Sequence, residues 1–102
     1  MQLEAIRAAT KFVTFTYEGV GDLQLEFRPA MLTLYAGELV AAAQADYERQ
    51  VDAMVRVLTK AVSWWDLYDG ENPVPLTEEA VRQVPMSLLT PLMLYLVREC
   101  SS

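Results

Sequence analysis

The sequence predicts a mainly helical protein with a small β part, and three observations favour this fold class. Near the N-terminus, two short runs alternate apolar and polar residues, which is the period of a half-buried strand. The middle of the chain repeats apolar residues at three- and four-residue steps, as an amphipathic helix does. Prolines then divide the remaining residues into short segments. We expect a single domain over residues 1–102, in which an N-terminal β-hairpin precedes one long helix and two or three short C-terminal helices.

The β-hairpin is predicted over residues 10–28. A first run around Phe15 alternates apolar side chains with threonines, and residues 23–28 alternate in the same way. The segment 18–22 between the two runs contains two glycines and suits a turn. Because an isolated hairpin is marginally stable in water, we expect this one to pack on the chain's own helices, to pair with another chain through its edge around Phe15, or both.

The long helix is predicted over residues 33–66. Thr33 is a candidate N-cap, because its hydroxyl can accept a hydrogen bond from a backbone N–H of the first turn. A continuous helix of this length would extend over about 50 Å. A compact domain of about 100 residues has a radius of gyration near 13 Å. Either Gly37 therefore interrupts the helix early, or the helix protrudes to meet a neighbour.

Two adjacent tryptophans at the end of this helix are given different roles. Trp65 continues the apolar series and is predicted to lie in the core. Trp64 would lie about 100° away around the helix. It is predicted either to cover the adjacent loop or to be an exposed anchor of an interface, where tryptophan is over-represented.

The C-terminal third is predicted to consist of an acidic, proline-rich loop over residues 67–76 and short helices over residues 77–99. Thr77 is a candidate N-cap, and the two glutamates after it would complement the helix dipole. The segment Leu92–Val97 is apolar on every side. A helix without a polar face has to be enclosed, either by the core or partly by a second subunit.

The composition favours protein partners over nucleic acid. The net charge is −6, and no cluster of basic residues is present to neutralise phosphates. The hydrophobic share is 53%, above the roughly 45–50% that is typical with glycine included. Alanine-rich helices explain part of this share, and burial against another chain is the alternative. All charged residues between Lys60 and Arg82 are acidic, which indicates either a solvated loop or a docking patch for a basic partner.

No residue pattern indicates catalysis, a cofactor or a metal site. Histidine is absent, which removes the commonest general base and zinc ligand. Cys100 is the only cysteine and is expected to be an inert thiol in a reducing compartment. If Gly70 held the turn position of a calcium loop, Trp65, Leu67 and Leu76 would fall on ligand positions and could not coordinate. We therefore expect a protein that is not an enzyme and has no catalytic, cofactor-binding or metal-binding residues.

The chain also lacks the sequence features of membrane targeting. Its first residues do not combine a basic start with an apolar run, as a signal peptide does. No stretch of about 18 continuous apolar residues occurs. We expect a cytoplasmic protein with neither nucleic acid nor membrane among its partners.

Several short motifs follow one another in a distinctive order. They are Arg28-Pro29, Leu32-Thr33, Trp65-Asp66-Leu67 at the end of the long helix, Asp69-Gly70, Pro73-Val74-Pro75, Thr77-Glu78-Glu79, Val84-Pro85 and a closing apolar helix. From about Leu23 to Val97, this order resembles the tail assembly chaperones of long-tailed bacteriophages.

The resemblance implies a non-enzymatic viral protein that acts in the cytoplasm of the infected bacterium. Such chaperones form homo-oligomers and coat the tape-measure protein before tail-tube subunits polymerise around it, and they are absent from the mature virion. In this family a longer, frameshifted form recruits tail-tube protein, which is therefore a further expected partner. The alternative function is a structural ring subunit of the phage head–tail joint or tail terminator. The residues expected to contact a partner or a second copy are Phe15, Trp64, Leu92 and Leu96.

Overall fold

The computed structural model describes residues 1–100, in which helices outweigh a small antiparallel sheet. The helices are α1 (Leu3–Ala8), α2 (Pro29–Ala42), α3 (Tyr47–Ala61), α4 (Glu78–Arg82) and α5 (Met86–Cys100). The strands are β1 (Lys11–Tyr17), β2 (Gly21–Phe27), β3 (Val62–Trp65), β4 (Tyr68–Asp69) and β5 (Asn72–Pro73). Strands β1, β2 and β3 form one sheet in that order, and β4 and β5 form a separate two-stranded hairpin.

The predicted N-terminal hairpin is present as β1 and β2. The two strands are antiparallel, with Lys11 opposite Phe27 at one end and Tyr17 opposite Gly21 at the other. Apolar side chains on one face are buried, whereas the threonines of β1 are exposed on the other face. The turn contains Gly19 at a φ of 82°, a left-handed conformation that glycine adopts without steric cost.

The predicted helix over residues 33–66 is wrong, because the chain forms two helices and a strand there. The first of these two helices, α2, begins at Pro29, since proline suits the first turn of a helix. Thr33 is therefore inside the helix, where its hydroxyl donates to the carbonyl oxygen of Pro29 at 3.0 Å. Gly37 does not interrupt α2.

The break between α2 and α3 lies at residues 43–46. Asp46 provides the N-cap of α3, because its Oδ1 accepts a hydrogen bond from the backbone N–H of Arg49 at 2.9 Å. The side chain of Gln50 donates to the carbonyl oxygen of Ala45 at 2.9 Å, which ties the connection to α3. These local bonds let the chain reverse direction instead of extending one helix beyond the fold.

The strand β3 replaces the predicted end of the long helix. It pairs antiparallel with β2, so that Trp65 lies opposite Leu25 and Trp64 lies opposite Glu26. The backbone N–H of Asp66 continues the pairing by donating to Gln24 at 3.0 Å. Valine and tryptophan have a high preference for strands. The backbone groups at the edge of β2 pair with this segment, whereas they would have no strand partner if it were helical.

The C-terminal helices differ in length. Thr77 caps α4 as predicted, since its hydroxyl accepts from the backbone N–H of Ala80 at 3.2 Å. The last helix, α5, is 15 residues long and continues through Pro91, so it is not one of several short helices. Before α4, the predicted loop contains the β4–β5 hairpin, in which Tyr68 lies opposite Pro73.

The core lies between the inner face of the sheet and helices α2 to α5. Its largest fully buried side chains come from both layers, namely Leu25, Phe27, Leu32, Leu58, Leu89, Leu92 and Leu96. Trp65 is also buried, which confirms the prediction that it belongs to the core. Among residues 1–100, no buried side-chain nitrogen or oxygen lacks a hydrogen-bond partner. The core is therefore apolar and closed on the side of the sheet that faces the helices.

Candidate interaction surfaces

Three of the four predicted contact residues lie inside the core. Phe15 points inward from β1, with its ring centroid 5.4 Å from that of Tyr95 on α5. Leu92 and Leu96 are completely buried on α5. The chain's own sheet and helices already enclose these three side chains, and their predicted role as partner contacts stays a prediction.

The fourth predicted residue, Trp64, is 46% exposed on the outer face of the sheet. Its indole stacks on the ring of Phe12, which is 56% exposed, with centroids 6.0 Å apart and planes inclined by 22°. Both residues lie opposite Glu26 in the strand register, so the two rings approach each other across the middle strand. This aromatic pair is an apolar contact area on a face that is otherwise polar.

Helix α2 presents a second apolar surface, which was not singled out from the sequence. Only Leu32 is buried within this helix, while Leu34 is 61% and Val40 is 75% exposed. Its one charged residue, Glu38, pairs with Arg56 of α3 at 3.2 Å and so provides no charged outer face. The signal was available in the sequence, because a helix that is apolar on all sides requires cover on all sides.

An apolar concavity, called here the helix groove, lies between the C-terminal half of α2 and α5. Its lining includes Leu39, Ala42, Met54, Met86, Met93, Leu94 and Val97. Methionine side chains are flexible and adapt to differently shaped apolar ligands. Of the exposed large apolar residues, Leu94 and Val97 of α5 line this groove, which suits an apolar side chain of another polypeptide.

A second concavity, called here the acidic groove, lies between the β4–β5 hairpin and helices α4 and α5. Its central part has a volume of about 490 Å³. Leu67, Pro85 and Leu88 continue it toward the β1–β2 turn, and Pro75 and Ala80 continue it along α4. The carboxylates that line it are Asp22, Asp66, Asp69 and Glu79. No lysine or arginine of the described chain lines any of its three parts.

The thiol, the acidic side chains and the helices of the described residues do not indicate a reactive, metal-binding or membrane-spanning site. Burial raises the pKa of the Cys100 thiol, against smaller opposing effects of Thr33 and Lys11, so little thiolate forms near neutral pH. No three acidic or cysteine side chains of residues 1–100 are grouped to hold a metal ion. None of the helices in this range is both long and apolar enough to cross a membrane.

Comparisons of the chain with models of known protein families, with curated proteins and with solved structures find no match. The interaction surfaces are therefore the observations from which a function is inferred.

Proposed function

We propose that this chain is a non-enzymatic assembly chaperone that self-associates and covers apolar segments of a longer partner. The observation that carries the proposal is helix α2, which has 14 residues, one charged side chain and one buried residue. A helix of this composition in a finished monomer would leave an apolar surface in water.

The energetics favour a second polypeptide on this surface. Full burial of a leucine or valine side chain is worth about 1.5–3 kcal/mol relative to exposure. Leu34, Val40, Leu94 and Val97 are all exposed and belong to the two helices that border the helix groove. Exposed apolar side chains on neighbouring helices are a feature of protein-binding sites on soluble proteins. A second copy of the chain and the client polypeptide would compete for this surface, so that client binding replaces self-association.

The resemblance to phage tail assembly chaperones supplies the identity of the proposed partner. The client is then the tape-measure protein, and tail-tube protein is a further partner at a later stage. The protein acts in the cytoplasm of the infected bacterium and leaves before the virion is complete. The net charge of −6 supports this role, since it keeps the free protein in solution while its apolar faces are unoccupied.

Co-expression with the tape-measure protein of the same phage tests the proposal. The client is expected to be insoluble alone, and to become soluble and copurify when this chain is present. The double variant Leu34→Glu/Val40→Glu is expected to lose this effect, because two charges replace the exposed apolar side chains of α2. Leu3→Glu/Tyr47→Glu is the matched control, since it adds the same two charges at exposed positions that line neither the helix groove nor the acidic groove.

Two outcomes would overturn the proposal. The client could remain insoluble with the unaltered chain, or the α2 double variant could protect it as well as the control does. Recovery of the chain from purified, mature particles would instead favour the ring subunit of a head–tail joint or tail terminator.

A further inference from the structure

We propose that the acidic groove binds a segment of the partner in which large apolar side chains are flanked by lysine or arginine. This inference rests on the proposed function and deepens it, because it gives the client a second contact site and a sequence character. The site is separate from α2 and the helix groove, with which it shares no lining residue.

The walls of the groove are apolar and fixed. Pro73, Pro75 and Pro85 line it and have restricted backbones. The wall segment of residues 73–75 is held by the backbone N–H of Val74, which donates to the carbonyl oxygen of Leu67 at 2.9 Å. The carbonyl oxygen of Val74 accepts from the indole N–H of Trp65 at 2.8 Å. A preformed apolar cleft binds more tightly than a mobile one, because less conformational entropy is lost on binding.

The charges of the groove select the kind of segment. Asp69 on β4 and Glu79 on α4 lie along its length, and Asp22 and Asp66 lie at its end near the β1–β2 turn. Asp66 also accepts from the backbone N–H of Gln24 at 2.8 Å, which fixes its carboxylate in place. A carboxylate accepts several hydrogen bonds, so each retains capacity for a cationic side chain. Basic residues at the two ends of an apolar segment therefore complement this surface.

The same charges disfavour other occupants. A phosphate backbone would be repelled by these carboxylates, since no lysine or arginine among residues 1–100 lines the groove. A second copy of this chain also carries a net charge of −6, so the field of the groove opposes its approach. The combination of apolar walls and acidic lining fits a basic, apolar segment of a different protein.

The probe for this site is a short synthetic peptide in which leucines alternate with lysines. The indole N–H resonance of Trp65 reports on the groove, because this group is bonded to the wall residue Val74. The indole of Trp64 lies on the outer face of the sheet and serves as the internal reference. We expect the peptide to shift the Trp65 signal and to leave the Trp64 signal in place. Peptides with glutamate for lysine or serine for leucine are expected to have no such effect.

A charge-reversal pair tests where the peptide binds. Asp69→Lys/Glu79→Lys is compared with Glu4→Lys/Glu48→Lys, whose positions do not line the groove. Each pair changes the net charge by +4, from −6 to −2, so the overall field is matched. We expect the groove pair to weaken binding about tenfold relative to the matched pair, since attraction becomes repulsion at the contact.

Three results would overturn the inference. Equal weakening by both pairs would mean that only the net charge matters. Equal binding of the serine peptide would remove the apolar part of the recognition. A Trp65 signal that moves with protein concentration in the absence of peptide would mean that a second copy occupies the groove.

The two proposals fail separately in this design. The variant Leu34→Glu/Val40→Glu is expected to bind the peptide normally while losing the client. If the peptide binds but no client is ever kept soluble, the chaperone function is wrong and the groove stands. If the client is kept soluble but the peptide does not bind, the groove inference is wrong and the function stands.

Discussion

Helices α2 and α3 are neighbours of nearly equal length, yet they use their apolar residues in different ways. The 15-residue α3 buries Ala53, Val55, Val57, Leu58 and Ala61, and its other side carries charged residues. The 14-residue α2 has more apolar character and almost no charge, but buries Leu32 alone. The comparison shows that the apolar composition of a helix indicates how much of its surface should be buried. The packing of the other elements decides how much of that surface is buried within the same chain.

The largest expected effect contrasts one leucine from each helix. Leu58→Ala in α3 should lower the free energy of unfolding by about 2–5 kcal/mol, because it opens a cavity at a fully buried position. Leu34→Ala in α2 should change it by less than about 0.5 kcal/mol, since this side chain is mostly exposed. Urea unfolding of the dilute protein measures both. Equal losses would mean that Leu34 is covered within the chain, and the comparison between the helices would collapse.

The second effect concerns association rather than stability. Leu34→Glu should weaken self-association about tenfold or more, because a charge replaces an apolar side chain worth about 1.5–3 kcal/mol on burial. Sedimentation velocity over a range of concentrations measures the change. Val20→Glu, which adds the same charge at an exposed turn position, should leave association nearly unaltered. An association constant that falls equally in both variants would assign the effect to charge alone.

The third effect tests how the two helices begin. Asp46→Ala should lower the free energy of unfolding by about 1 kcal/mol, because α3 loses its side-chain N-cap. Thr33→Ala should have little effect, since the Thr33 hydroxyl bonds to a carbonyl inside α2 and caps nothing. Thermal unfolding followed by circular dichroism compares the two. A larger loss of unfolding free energy for Thr33→Ala than for Asp46→Ala would instead support Thr33 as a helix N-cap, as the sequence predicted.

The smallest expected effect concerns a hydrogen bond outside α2 and α3, whose loss should lower stability but leave self-association unchanged. The hydroxyl of Tyr95 on α5 donates to the carbonyl oxygen of Thr14 on β1 at 2.8 Å. Tyr95→Phe should therefore cost about 0.5–1 kcal/mol of unfolding free energy at neutral pH without changing self-association. Tyr47→Phe is the matched control, because that side chain is exposed.

The pH dependence of this contact has a defined sign. Burial, and then the charge of Glu99 and a hydrogen bond with it, raise the pKa of the Tyr95 phenol above its usual value, against a smaller opposing effect of the hydrogen bond with the Thr14 backbone. The contribution is thus complete well below pH ~10, the pKa of an unfolded tyrosine, and is lost as the pH rises from there toward the higher pKa of the folded protein. The difference between Tyr95→Phe and the unaltered chain should shrink above that pH in urea titrations. A difference that grows with pH would contradict the assignment.

Local patterns were sufficient for the features that depend on neighbouring residues. The alternation of β1 and β2, the burial of Trp65 and the N-cap at Thr77 all follow from the period or side-chain chemistry of a few residues. The strand β3 could not be predicted in this way. Its residues fit the helical spacing that precedes them, and they form a strand because the distant edge of β2 is available to pair with them.

The interaction surfaces show a similar division. Leu92 and Leu96 are the same residue type as Leu94 on the same helix, yet the first two are buried and the last is exposed. Composition identifies α5 as apolar but not which side the core covers. The acidic stretch was visible in the sequence, whereas the apolar groove beside it depends on how α4 and α5 pack against the β4–β5 hairpin.

Side-chain labelling with a photogenerated carbene would test most directly whether α2 meets another polypeptide. The protein would be labelled when dilute, when concentrated and when bound to its client, and modification of α2 and α3 would be compared by mass spectrometry. We predict that labelling of Leu34 and Val40 falls on concentration and falls further with client, while the exposed face of α3 is labelled equally throughout. Constant labelling of Leu34 and Val40 under all three conditions would contradict the proposed role of α2.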